Sequence, residues 1–150
     1  MGLRPPRPPL PLALLVAVLA LRAQAGPDGI HVTIAGLRSD RGQVLCQLFA
    51  SADGFPAIAA KAVARTSSPI RDAQAACDFA GIAPGHYAIA VIHDENANGR
   101  LDRNFLGIPS EGVGASRDAR GHFGPPQYDD AAFDYSGGSK SMTITVQYLL

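Results

Sequence analysis

Apolar and polar positions alternate with a period of two through much of the chain. Ile30, Val32 and Ile34 alternate with His31 and Thr33, which predicts a half-buried strand. Val44 to Phe49 predicts a second strand, joined to the first as a hairpin across Asp40-Arg41-Gly42. Ala75, Cys77 and Phe79 alternate with Ala76 and Asp78. Met142, Ile144, Val146 and Tyr148 alternate with Thr143, Thr145 and Gln147, giving a last strand with one wet face. Tyr87 to His93 is apolar on both faces, which places it in the middle of a sheet. Ala131 to Tyr135 is a further short strand. The Ala-rich run Pro56–Ala64 is the one predicted helix, with Pro56 in its first turn. Thr66 to Pro69 reads as loop, and Asp94 to Tyr128 as a long loop region punctuated by glycine and proline.

These signals amount to about six or seven short strands. No long amphipathic helix is present to cross between parallel strands. The predicted fold is therefore all-β: an antiparallel sandwich of the immunoglobulin-like or prealbumin-like kind, with one short helix near residues 56–64.

The first 25 residues stand apart from this pattern. Arg4 and Arg7 precede the apolar run Leu10 to Leu21, which is too short to span a bilayer as a stable helix. Ala23-Gln24-Ala25 follows, with the small residues that signal peptidase requires. Residues 1–25 read as a secretory signal peptide cut after Ala25, and 26–150 as a single domain. The alternative is an uncleaved N-terminal anchor. No cysteine follows the run to carry a lipid. A periplasmic or secreted location is expected, with no transmembrane segment after cleavage. Cleavage removes three of thirteen basic residues and none of the thirteen acidic ones, leaving ten against thirteen. No basic stripe remains, which argues against nucleic acid and anionic lipid surfaces as partners.

Cys46 and Cys77 are the only cysteines. Polar Gln47 and Asp78 point outward, so Cys46 faces inward with Val44 and Leu48, and Cys77 with Phe79. Two inward cysteines on different strands can meet across a small core. In an oxidising compartment that predicts a disulfide, worth roughly 3–4 kcal/mol for a loop of about 30 residues. The alternative is a pair of reduced core cysteines.

The segment His93 to Asp102, HDENANGRLD, carries the clearest chemistry. Side-chain oxygens recur at Asp94, Asn96 and Asn98, then Gly99 permits a sharp turn. The carbonyl of Arg100 and the carboxylate of Asp102 extend the set. This matches the first nine positions of a D-x-[DN]-x-[DN]-G calcium loop. Two departures are evident. Phe105 occupies the twelfth position, where a bidentate glutamate is expected, and a strand rather than a helix precedes the loop. Glu95 or Glu111 could supply a further carboxylate. With so little charge, calcium affinity is expected at about 10⁻⁴ to 10⁻³ M. The competing reading is an Asn/Gly turn whose side chains satisfy its own backbone.

A metal-dependent hydrolase would draw on His93, Asp94, Asp102, Glu111 and His122, but their spacing matches no zinc-protease motif, and no nucleophile elbow or phosphate loop occurs. Asp129-Asp130 reads as a solvated pair. Phe105, Phe123 and Tyr128 lie on loops at one end of the predicted sandwich. They suit either a carbohydrate- or peptide-binding surface or a plug for the open end of the core. The expected role is non-catalytic: an envelope module that binds an unidentified ligand or protein, with calcium as its candidate cofactor.

The segments GLRSDRGQVLCQLF, FAGIAPGHYAIAVIHDENANGRLDRNFLGIPSEGVGAS and FGPPQYDDAAFDYSGG resemble a family of exported bacterial proteins classed as domain of unknown function 2141. The resemblance covers about residues 30 to 148 and implies a periplasmic or secreted β-protein, with no activity attached. The cysteine pair is not part of that pattern, so the disulfide rests on the strand argument. More distantly, GIAPGHYAIAV is similar to a core strand of transthyretin-like and collagen-adhesin B-type sandwiches, which implies a corner role for Tyr87. Some adhesin repeats follow such a strand with a D-x-N-x-x-G-x-x-D calcium loop, whose positions Asp94, Asn96, Asn98 and Asp102 match.

Overall fold

The computed structural model describes residues 1–2 and 27–150, so the leader and its cleavage after Ala25 lie outside the described residues. Among the described residues eight strands form two sheets. They are β1 (Gly29–Ala35), β2 (Gln43–Phe49), β3 (Ala64–Pro69), β4 (Ala75–Phe79), β5 (Gly85–Asp94), β6 (Gly112–Ala115), β7 (Phe133–Tyr135) and β8 (Ser139–Thr145). One sheet has the order β4-β1-β8. The other has the order β3-β2-β5-β6, with β7 also paired to β5. A short helix α1 spans Tyr128–Ala131. The all-β sandwich expected from the sequence is the observed fold. All ladders are antiparallel except β1–β8, which is parallel.

The core positions of the alternating pattern face as predicted, but Gln47, expected in solvent, is buried on the opposite face of β2. Ile30, Val32 and Ile34 of β1, Val44, Cys46 and Leu48 of β2, and Cys77 and Phe79 of β4 all enter the core between the sheets. The disulfide Cys46–Cys77 joins one sheet to the other through this core, with Cα atoms 6.5 Å apart. β5 is central, and both its faces are covered. Tyr87, Ile89 and Val91 face the main core. Ala88 and Ala90 lie under a second cluster formed by Phe49, Phe55, Ala115, Tyr128, Ala131 and Ala132. Small alanines on that face let the Phe49–Phe55–Tyr128 aromatic chain pack close, edge to face at 5.4 and 5.8 Å. Tyr87 takes the corner role, its hydroxyl donating back to the Ala83 carbonyl at 2.8 Å.

Four local expectations are corrected. β1 and β2 are not a hairpin: β1 pairs with β4 and β8, and β2 with β3 and β5. The connection at 36–42 crosses between sheets. The predicted helix at 56–64 is only a 3-10 turn over Ala59–Lys61. A run this short gains too few hydrogen bonds to sustain a helix, and pairing of Ala64 with Leu48 ends it as β3 begins. Thr66 to Pro69 is accordingly strand, not loop. Its polar composition suits the edge of the five-stranded sheet. Within the long loop region, Gly112–Ala115 is strand β6, a segment that carries almost no side-chain pattern. A Cβ on Gly112 would stand 2.5 Å from Tyr148 and Val146, so glycine there lets the C-terminal segment pack directly over the sheet.

Candidate functional site: the loop closing the central strand

β5 ends at Asp94, whose side chain is fully buried. The next residues turn sharply, with positive φ at Ala97 (57°) and Gly99 (80°). Asp94 organises the turn. Its Oδ1 accepts from the Asn98 amide at 3.0 Å, and its Oδ2 accepts from the Gly99 amide and from Gln43 Nε2, both at 2.8 Å. Asn96 Oδ1 accepts from the Asn98 amide, and Asn98 Oδ1 from the Arg100 amide, both at 3.1 Å. The two asparagines then turn their Nδ2 groups to Asp102, at 2.6 Å from Asn96 and 2.9–3.0 Å from Asn98. These amides, Asn98 foremost, hold the Asp102 carboxyl below the ordinary carboxylate range.

Glu111 clamps the ends of the turn. It is almost fully buried, and its two oxygens accept from the backbone amides of Glu95 (2.9 Å) and Asp102 (3.0 Å). Glu95 turns the other way, into a two-pronged pair with Arg38 at 2.6 and 2.9 Å. The guanidinium lowers the Glu95 carboxyl pKa and stacks 4.3 Å above the Tyr148 ring. Backbone packs closely here too: a Cβ on Gly42 would collide with the Asp94 carbonyl.

The structure therefore brings Asp94, Asn96, Asn98, Asp102 and Glu111 to one loop, with the Arg100 backbone between them. It does not bring the histidines there. His93 is fully buried, with Nδ1 2.6 Å from the Tyr148 hydroxyl and Nε2 2.8 Å from the Arg41 carbonyl, so both nitrogens are occupied. His122 is exposed in a separate loop and borders a shallow hollow of about 330 Å³ with Arg120, Phe123 and Asp130. Among the described residues no three His, Cys, Asp or Glu side chains converge on one metal-sized point. A cation in the loop would need the asparagine amides and a backbone carbonyl to complete its shell.

The three loop aromatics separate. Phe105 and Phe123 are fully solvent-exposed, whereas Tyr128 is buried, with its hydroxyl donating to the His86 carbonyl at 2.9 Å. Asp129 and Asp130 are exposed in the turn of α1. Sequence reasoning missed Gln43, Arg38 and Tyr148 as supports of the loop. Gln43 sits opposite Asp94 across the β2–β5 ladder, and nothing local to either segment announces that pairing.

Among the described residues no helix is long and apolar enough to cross a membrane. No curated protein and no solved structure matches the chain. A family model matches residues 32–143, well over half of the chain. The chain belongs to the family described as an uncharacterized protein conserved in bacteria, DUF2141.

Proposed function

We propose that the protein is an exported, non-catalytic β-sandwich module of the bacterial cell envelope, whose loop at 94–102 takes a calcium-type cation. The observation that carries this reading is a pair of buried carboxylates with no cation in direct contact. Asp94 and Glu111 are buried carboxylates whose hydrogen-bond partners are amides alone. Taking a carboxylate out of water is costly, and amide donors offset only part of that cost without supplying opposite charge. A divalent cation beside them offsets that cost.

The donor set fits a hard cation: carboxylates, amide oxygens and a carbonyl, with His93 engaged elsewhere. Asn96 and Asn98 present Nδ2 to Asp102. Rotation about the last side-chain bond would turn Oδ1 toward a cation in nearly the same volume, but it gives up the Oδ1 contacts with the Asn98 and Arg100 amides, a cost that cation coordination must offset. Asp94, Asn96, Asn98, the Arg100 carbonyl and Asp102 would hold it, with Glu111 bracing both ends of the turn. The cation would supply charge and rigidity to the loop end of the sandwich, where such folds bind partners. Export is supported by the core disulfide, which suits an oxidising compartment, and by the bacterial family.

Calorimetric titration with calcium, magnesium and zinc tests the reading. It predicts one calcium per chain at a Kd of about 10⁻⁴ to 10⁻³ M, lost in Asp102→Ala. Zinc binding with calcium silent would support the hydrolase reading instead.

A further inference from the structure

Beyond Asp102 the chain continues into a narrow hairpin that is tied down more thoroughly than its length requires. Asn104 N donates to the Ile108 carbonyl and Gly107 N to the Asn104 carbonyl, both at 2.9 Å. Asn104 Oδ1 accepts from the amides of Leu106 (2.9 Å) and Ile108 (3.0 Å). Arg103 Nη1 donates to the Gly107 carbonyl at 2.9 Å. This fixed backbone holds Phe105 95% and Leu106 67% exposed. Two adjacent large apolar side chains are thereby held together in water on an ordered tip, a contiguous apolar feature of the kind that marks interaction sites. Their order is already in place before any partner arrives.

Surface charge close to the tip is mostly arginine. Asp94 and Glu111 are buried, Glu95 is paired with Arg38, and Asp102 accepts from the loop amides and lies 3.6 Å from Arg100 Nε. Arg41, Arg100 and Arg103 are exposed at this end of the sandwich, where Asp40 and Asp72 are exposed as well. The acidic balance of the chain as a whole argues against anionic surfaces, but docking responds to the charge a surface meets, and beside the tip Arg100 and Arg103 dominate it.

From this arrangement we propose that the 103–109 hairpin docks on a lipid bilayer bearing anionic headgroups, with Phe105 and Leu106 entering the interface and Arg100 and Arg103 meeting phosphates. A tip of two residues is a wedge. It offers far less than the roughly 800 Å² per partner of a stable protein interface, whereas a fluid bilayer accepts a convex wedge. Arginine stems can lie along the apolar boundary while their guanidinium groups fork onto phosphate oxygens. The proposal stands whether or not the 94–102 loop holds a cation.

The test is co-sedimentation of the exported protein, its N-terminus verified by mass spectrometry, with vesicles. Phosphatidylcholine alone is compared with phosphatidylcholine plus phosphatidylglycerol, each in chelator and in calcium. Binding to the mixed vesicles is expected in both media. It should fall about tenfold or more in Phe105→Ser/Leu106→Ser, which loses two apolar anchors. It should also fall in Arg100→Gln/Arg103→Gln. Val63→Ser, which changes a 58% exposed residue beyond the opposite end of β2, should bind as the parent does. All variants should melt with the parent. No binding by the parent in either medium, or binding indifferent to the double serine variant, overturns the proposal. A dimer that the double serine variant dissolves, with no vesicle binding, assigns the tip to a second copy of the chain instead.

Discussion

The Tyr148 hydroxyl lies 2.6 Å from Nδ1 of the fully buried His93. His93 Nε2 faces the Arg41 carbonyl, which can only accept, so Nε2 carries the ring proton and Nδ1 accepts from tyrosine. The same hydroxyl accepts from the Arg38 backbone amide at 3.0 Å. One chain of polar groups thus ties β5, the 36–42 connection and the C-terminal segment together beside the candidate site. Tyr148→Phe removes the donor and leaves a buried ring nitrogen alone. We expect a loss of about 1–3 kcal/mol, read as a lower denaturation midpoint with an unchanged slope.

The Arg38–Glu95 pair predicts an acid-sensitive component. Arg38 lowers the Glu95 pKa, and Asn98 and Asn96 lower that of Asp102. A lowered carboxyl pKa stabilises the fold above the ordinary carboxylate range, and that contribution is lost as pH falls through the lowered pKa. Arg38→Gln should therefore be less stable than the parent at neutral pH, by a small margin because the arginine is exposed and the pair is screened by solvent. The two should converge as pH falls below the lowered Glu95 pKa, where that carboxyl is protonated in the folded and unfolded chain alike. Urea melts across that range check it; a gap that persists in acid would mean Arg38 acts through packing on Tyr148.

Gln47 predicts a stabilising substitution. It is 7% exposed, and its Oε1 has no hydrogen-bond partner. Replacement by Met keeps the length and removes the amide, its unpartnered oxygen included. A gain of about 1 kcal/mol is expected from thermal or urea melting; a loss would show that the amide contributes favourably where it lies.

Reducing the Cys46–Cys77 bond should cost roughly 3–4 kcal/mol, since it frees a loop of about 30 residues in the unfolded chain. The bond is buried between sheets, so reduction should be slow until the domain opens. Comparing urea midpoints with and without reductant measures the effect; equal midpoints would contradict it.

What the sequence disclosed follows from the range of each interaction. The inward faces of β1, β2 and β4 repeat every second residue, so the core, and with it the cysteine pairing, could be read locally. The central place of β5 was legible because both its faces are apolar. Partner choice was not legible. β1 and β2 carry hairpin signals, yet the 36–42 connection changes sheets, and each strand pairs instead with others: β1 with β4 and β8, β2 with β3 and β5. β3 and β6 lacked hydrophobic alternation and take their strand form from the ladders they join. At the site, Asp94, Asn96, Asn98 and Asp102 stood out by spacing. Gln43, Arg38 and Tyr148 reach it only through the folded chain.

The most direct test of the central claim is thermal melting of the exported protein in chelator and then in calcium, alongside Asp94→Asn. A cation that binds only the folded state, at about 100 times its Kd, adds roughly 2.7 kcal/mol. In a domain of this size that raises Tm by on the order of 10 °C. The account predicts this rise in the parent and its loss in Asp94→Asn. An unchanged Tm in calcium would contradict it and leave 94–102 as a turn that satisfies itself.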